Sequence, residues 1–373
     1  MESVPPLVPQ PARRSWSRAW VIGLTAAYFL AREGAQVAVL DRGDFGQEAS
    51  WAGAGILPPS NAERARTPFD RLRALSVSMF PKVSAELREQ TGIDNGYLRC
   101  GGLEVLDPAH AAAEEEWRGA GVSAQRLTAL QVTALEPQVA TTLGDVWHLP
   151  ELAQLRNPRH LQALIAGCTA KVRLLPQCPV LAVEAGGRRV TGVRTPNGVF
   201  HAGQVLLAGG SWTDALLEPL GCRAGIVPVR GQIALLHMQP VPVHCVLLCG
   251  SRYVVPRPDG RILVGSTEEW VGYDKRTTAA AIGELLSFAI KLVPVLGGAA
   301  LERSWAGLRP GSRDGLPSLG PVPGWQNLFV AAGHFRHGIQ LSAGTGLLMK
   351  ELLLGQKTTL DCSPFSMERI GIR

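Results

Sequence analysis

Residues 21–42 read VIGLTAAYFLAREGAQVAVLDR, and the reading of this stretch decides the fold. Residues 24–32 carry one apolar helical face, Gly34 stops the helix, and Val37-Ala38-Val39-Leu40 has the composition of a short buried strand. Asp41 stands at that strand's carboxyl end, where a dinucleotide-binding βαβ unit places an acidic side chain to accept hydrogen bonds from a ribose. Gly23 holds the third place of G-x-G-x-x-G, where the missing side chain lets helix and strand pack closely. The first two glycines of that fingerprint would fall at 18 and 20, and the chain has Arg18 and Trp20 there. The apolar strand before the helix is expected over residues 13–17, which read RRSWS. The spacing therefore predicts a βαβ unit with its second half intact and its first half replaced, and Trp20 is expected to clash with an approaching pyrophosphate.

Composition sets the outer limits. A chain of 373 residues that is 46% hydrophobic is long enough for two domains with their own cores. The net charge of +6 is spread thinly, with no block of basic residues, which argues against nucleic acid as a partner. Seven cysteines without any C-x-x-C point to a reducing cytoplasm, and Cys245 and Cys249 are too isolated for a zinc site, so no metal is expected. Residues 1–20 contain four prolines and no apolar run, so they are expected to form a disordered or loosely packed tail and not a signal peptide. The longest apolar stretch, residues 20–31, is too short to span a bilayer, and a soluble chain is expected.

Further on, helices are expected at 68–90, 109–136, 158–170, 278–293 and 338–354. Strands are expected at 101–106, 179–184 and 204–208, with a hairpin of 189–194 and 199–202 around Pro196-Asn197-Gly198. Residues 227–264 are strand-rich. Strands alternate with helices at both ends around a β-rich block. This predicts an α/β chain of two domains: a doubly wound nucleotide-binding domain (21–90, 140–225 and 300–373) interrupted by an antiparallel β-rich substrate domain (91–139 and 226–299).

Four stretches carry the chemistry. In EASWAGAGIL (48–57), small residues let backbone amides approach a phosphate or a ring, although a plain Gly/Ala loop reads equally well. LLAGGSWT (206–213) is a strand ending in a double glycine, either beneath a nucleotide or simply a tight turn. WAGLRP (305–310) holds Arg309 between Gly and Pro, suited to a bidentate grip on a carboxylate; a surface arginine is the plainer alternative. AGHFRHGIQLSAGTG (332–346) runs from a strand into a small-residue helix whose N-terminus offers free N–H groups to negative charge, or else is a core helix with a glycine stripe.

Taken with VPVRGQ (227–232), YVVPRPDGRILVGSTEE (253–269) and DRGDFGQEASWAGAGIL (41–57), these motifs resemble the FAD-dependent D-amino-acid oxidase superfamily. Within it they are most similar to the glycine oxidases of thiamine biosynthesis, and the resemblance covers residues 21–354. It implies a doubly wound FAD domain and an antiparallel sheet roofing the flavin. It also implies that Gly23, Asp41 and Arg42 serve the nucleotide end and that Ser50, Trp51, Ala52, Gly53, Ala54, Gly55, Ile56 and Leu57 line the pyrophosphate and flavin. Val180 would contact adenine through its backbone, with Gly209, Gly210 and Trp212 near the cofactor. Gly333, His334, Arg336, His337, Gly338, Ile339, Gln340 and Leu341 would cover the pyrimidine end. Arg309 would pair with a substrate carboxylate, Tyr253 would close over the same group, and Arg336 would border the pocket.

The resemblance further implies non-covalent FAD, since WAGLRPGSRD lacks the cysteine of covalent relatives. A small amino acid would be the substrate, oxygen the electron acceptor, and thiazole synthase a downstream user, in a cytoplasmic homo-oligomer. The alternatives are a broader D-amino-acid or sarcosine oxidase or dehydrogenase, and a flavin-poor non-catalytic homologue. A nicotinamide dehydrogenase is disfavoured by the return of GHFRHGIQ to the nucleotide domain.

Overall fold

The structure, a computed structural model, describes residues 20–106, 117, 121–140 and 144–370. The expected tail up to residue 19 lies outside them, as do residues 109–116 of the expected long helix.

Helix α1 (Val21–Arg32) starts straight after Trp20, whose side chain gives no cap. The Ser50 hydroxyl, 29 residues away, accepts instead from the Val21 N–H at 3.1 Å, satisfying one of the orphan donors of the helix end from across the fold. Strand β1 (Val37–Leu40), the short helix α2 (Ala49–Ala52) and β2 (Ile56–Leu57) follow. Helix α3 (Pro68–Thr91) opens with Pro68 in its first turn and a reciprocal Thr67–Asp70 capping box, and it closes on left-handed Gly92. Next come β3 (Leu98–Arg99), β4 (Gly102–Leu106), β5 (Gln125–Leu127), α4 (Ala129–Leu135), β6 (Asp145–Leu149) and β7 (Ala153–Gln154). After α5 (Asn157–Cys168) come β8 (Val172–Leu175), β9 (Ala182–Gly186), β10 (Arg189–Thr195), β11 (Gly198–His201), β12 (Val205–Leu207) and α6 (Thr213–Leu217). The long strand β13 (Val227–His237) leads to β14 (Val246–Cys249), β15 (Arg252–Pro256), β16 (Arg261–Gly265) and α7 (Ala279–Leu292). The chain ends with β17 (Ala300–Gly311), β18 (Ser318–Pro321), β19 (Leu328–Ala332) and α8 (Gly338–Leu353).

Two differences from the sequence expectation have physical causes. Residues 125–127 form a strand and not part of a helix, because they pair with Val146, Trp147 and His148 at the edge of a sheet, while 129–135 are helical. The strand expected from 179 begins at Ala182, since Pro179 has no N–H to give a ladder.

An eight-stranded sheet runs β17-β13-β16-β15-β14-β4-β6-β5. Residues 145–149 and 300–311, expected with the nucleotide domain, are strands of this sheet, the latter paired with β13 along its length. One face is covered by α7, which buries Ile282, Leu285, Ala289 and Leu292. The opposite end of the molecule is doubly wound: β1 pairs in parallel with β8, and β12 pairs in parallel with β19. The antiparallel meander β9-β10-β11 completes that end. Helix α1 packs against α5, α8, β1 and β19, and its core partners include Leu87, Leu164 and Leu348.

Candidate functional site

The 49–57 segment is pinned from three sides. The Asn157 Nδ2 amide donates to the Ser50 carbonyl at 2.8 Å, and the Trp305 indole N–H donates to the Ala52 carbonyl at 3.0 Å. The buried Arg257 guanidinium donates to the Ala54 carbonyl at 2.6 Å. Gly55 has φ +71°, and a Cβ there would stand 2.1 Å from the Leu155 carbonyl oxygen, so both the conformation and the close approach require glycine. A Cβ on Gly307 of β17 would meet the Ala52 Cβ at 2.7 Å, which is how α2 reaches the large sheet.

Arg309 projects from β17 across β13. A Cβ on Gly231 would lie 2.1 Å from its Nη2, so VPVRGQ contributes bare backbone for the guanidinium to cross. Nη1 donates to the Thr267 carbonyl at 2.9 Å and Nη2 to the Ser266 hydroxyl at 2.6 Å. Burial lowers the Arg309 pKa from its ordinary value. Thr267 is itself held: its hydroxyl accepts from the Gln232 N–H at 2.9 Å and donates to Glu269 at 2.5 Å, and Glu269 is paired with buried Arg230. Burial pushes the Glu269 carboxyl up, but the hydrogen bonds from Arg230, Thr267 and Gln232 outweigh it and bring the pKa below the ordinary range. Tyr253, on β15, faces Gly265 on β16, where a Cβ would stand 2.6 Å from the phenol oxygen. Arg309 and Tyr253 line one cavity of about 310 Å³.

The far wall comes from the turn after β19 and the start of α8. The Arg336 guanidinium donates to the Ser251 carbonyl at 2.6 Å and pairs with Glu268 at 3.2 Å. His334 Nε2 is 3.1 Å from Thr345 Oγ1, and burial takes its pKa down to about 3. His337 Nδ1 is 3.2 Å from Gln340 Oε1, and burial lowers its pKa to about 4. Both rings are therefore neutral at pH 7, and no imidazolium competes with the N-terminus of α8 for an anionic group.

The structure gathers Ser50, Ala52, Gly53, Ala54, Gly55, Ile56, Gly210, Tyr253, His334, Arg336, His337, Gly338, Ile339, Gln340 and Arg309 around this cavity. Leu57, Gly333 and Leu341 are not on its wall, and Leu341 is packed in the core beside α1. Trp51 sits behind the loop, edge-on to Trp305. Gly23, Val180 and Gly209 line a separate cleft between β1 and β12. Asp41 is buried and its Oδ1 accepts from the Gly43 N–H at 3.0 Å, while the Arg42 guanidinium lies 4.7 Å over the Trp212 ring. Gly231, Ser266 and Thr267 are added by the structure. VPVRGQ stands out as a motif, but nothing local shows that Gly231 faces an arginine 78 residues later.

Trp20 is buried between Gly210, Trp212 and Leu308. A Cβ on Gly210 would lie 2.6 Å from its indole, the two indole centroids are 5.9 Å apart, and its buried Nε1 has no hydrogen-bond partner. The indole therefore packs on Gly210, on the wall shared with Val21 and Ile22 of α1.

Residues 21–352 match the FAD dependent oxidoreductase family, and the chain belongs to that family. It is 37% identical to a glycine oxidase of Pseudomonas putida over 357 residues, covering 94% of this chain and 97% of the relative. It is 36% identical to the bifunctional protein ThiO/ThiG of Synechocystis, covering 94% of this chain and 52% of that one. The crystal structure of glycine oxidase from Geobacillus kaustophilus superposes with a TM-score of 0.88 at 32% identity, covering 94% and 96% of the two chains.

Membership makes this an FAD-dependent oxidoreductase. The residues fit the ring end of FAD: the cavity opens on the bare backbone of 53–55 and on the N-terminus of α8, and an orphaned indole donor stands at its edge. At the dinucleotide step the fit is altered, because position 20 is the one where the fingerprint leaves backbone uncovered.

Proposed function

We propose that this chain oxidises glycine or a similarly small amino acid, using non-covalent FAD, to an imine that water converts to an oxoacid and ammonia. The observation that carries this reading is the half-buried Arg309 guanidinium, held from behind by Ser266 and the Thr267 carbonyl and sharing one cavity with Tyr253. FAD, when bound, supplies the two-electron acceptor, which oxygen regenerates with release of hydrogen peroxide.

This chain's own residues bind and orient. Arg309 grips the substrate carboxylate as a planar, always-charged guanidinium. Tyr253 donates a hydrogen bond to the same carboxylate, and Arg336 closes the pocket from the α8 side. Fixing the carboxylate fixes the α-carbon, which supplies orientation without a side-chain base for C–H cleavage. Asp41, Arg42 and the backbone of Val180 would hold the adenosine end of FAD, and the segment from His334 to Gln340 would hold its pyrimidine end. The likeness to a ThiO/ThiG protein supports a role in supplying thiazole synthase in thiamine formation. A cytoplasmic location and a homo-oligomeric state are part of the same proposal. Among the described residues no helix is long and apolar enough to cross a membrane.

The test is anaerobic reduction of the FAD-loaded chain, followed by absorbance, with glycine, sarcosine and D-alanine in parallel. Bleaching fastest with glycine supports the reading; bleaching only by sarcosine or D-alanine moves the substrate. A flavin that none of the three reduces overturns it.

A further inference from the structure

Residues 267–269 run antiparallel along β13. The Arg230 N–H donates to the Glu269 carbonyl at 2.8 Å, and the Glu269 N–H donates to the Arg230 carbonyl at 3.0 Å. On the other side of β13 lies β17, with Arg230 opposite Leu308 and Val229 opposite Arg309. The guanidinium therefore leaves β17, crosses β13 at Gly231 and ends on the Ser266 hydroxyl and the Thr267 carbonyl beyond it.

Both of those acceptors are neutral oxygens. A carboxylate bonded there would satisfy the charge that a substrate carboxylate has to meet, whereas a carbonyl and a hydroxyl fix the fork and leave its charge for the ligand. Glu268 is turned to Arg336 at 3.2 Å. The carboxylate of Glu269 stands one step behind. Its Oε1 accepts from the Thr267 hydroxyl at 2.5 Å and from the Gln232 side-chain amide at 2.7 Å, and its Oε2 accepts from Arg230 at 2.5 Å. Gln232 is fixed in turn: its Oε1 accepts from the Thr278 N–H at 2.8 Å, and its own N–H donates to Thr267 Oγ1 at 2.9 Å. The Thr267 hydroxyl thus both accepts and donates, which holds the residue whose carbonyl receives Arg309. Glutamine could not do the same at 269, because an amide has one acceptor oxygen and turns an NH₂ toward the remaining donors.

We propose that Glu269 is a positioning residue for substrate binding: through Thr267 it aims Arg309 at the substrate carboxylate. This role rests on the reading of Arg309 as the carboxylate anchor. Loss of Glu269 should therefore appear as weaker binding of carboxylates, and only while Arg309 is present.

The experiment titrates the FAD-loaded chain with acetate, a carboxylate without an amine, by calorimetry, and follows flavin reduction by glycine without oxygen in parallel. Glu269→Gln is expected to weaken acetate binding at least fivefold. It should raise the glycine concentration for half-maximal reduction by a similar factor, with a smaller change in the limiting rate. Thr267→Val, which removes the hydroxyl, should act in the same way and serves if Glu269→Gln does not fold; Thr267→Ser, which keeps the hydroxyl, should recover the affinity. In an Arg309→Ala background, Glu269→Gln should change the second-order rate of reduction by glycine less than twofold, whereas a merely structural role would carry the same factor into both backgrounds. Acetate affinity in Glu269→Gln equal to that of the wild type overturns the proposal, as does an equal factor with and without Arg309. Acetate bound equally by the wild type and Arg309→Ala, or by neither, would instead remove Arg309 as the anchor, and the role of Glu269 with it.

Discussion

Arg309 lies across Gly231 so closely that a Cβ on the glycine would stand 2.1 Å from Nη2. The strands are in register two residues away, Val229 opposite Arg309, so the guanidinium reaches diagonally over its neighbour's backbone. Ser266 and the Thr267 carbonyl then fix its direction. A substitution at a position with no chemistry of its own should therefore act through the arginine.

Gly231→Ala is expected to raise KM for glycine at least tenfold while leaving flavin content unchanged. Gly231 does not have positive φ, so the cost is steric displacement of Arg309 and not backbone strain. Steady-state kinetics with the flavin-to-protein absorbance ratio checks this; a normal KM would show that the guanidinium has room to shift without consequence.

Arg309→Ala is expected to cost roughly 3–5 kcal/mol of transition-state binding, by analogy with the loss of one partner of a buried charge pair. At about 1.4 kcal/mol per tenfold, kcat/KM should fall by more than a hundredfold, chiefly through KM. Glycine turnover that survives the change at ordinary concentrations would remove Arg309 from the role of carboxylate anchor.

Trp20→Gly should strengthen FAD binding at least tenfold, because it takes the indole off Gly210 and restores a fingerprint glycine. The apoprotein should at the same time melt lower, since removing a buried tryptophan side chain costs about 3–5 kcal/mol. Equilibrium dialysis against FAD and thermal melts separate the two effects. Unchanged FAD affinity would mean that Trp20 does not stand in the cofactor's way.

The pH response follows from three histidines, His160 and His334 buried and His337 half-buried. Burial lowers His160 and His337 to about 4 and His334 to about 3, against 6.5 for the free side chain. Above pH 6.5 both folded and unfolded chains hold these rings neutral. Below it the unfolded chain takes up protons that the folded chain refuses until pH 4 or 3, so stability falls as pH drops through that window. Each ring contributes a slope of up to about 1.4 kcal/mol per pH unit. Urea midpoints at pH 7 and 5 test this; in His160→Gln, whose ring lies 3.1 Å from Asn95 outside the cavity, the slope should be shallower by about one third.

Much of this was legible in the chain. The run from α1 into β1, the β10–β11 hairpin, α3 with its cap and α8 all carry local signals: apolar period, capping residues and turn residues. Arg309, Tyr253 and the 50–56 loop were legible as motifs. The edge strand at 125–127 was not, because its residues are helix-compatible and only pairing with β6 makes them extended. Gly231 and Ser266 were not, because each matters only through a side chain that another strand carries over it.

By itself the sequence determined most of the helices and strands, that residues 21–42 run from a helix into a strand, and that the first two fingerprint glycines are replaced. These are local properties, written in spacing over a few residues. Only the tertiary structure decided that Ser50 caps α1, that Trp20 packs on Gly210 and that Arg309 crosses Gly231. Those depend on contacts between residues tens to hundreds of positions apart, and such contacts are set by how whole elements bury their faces.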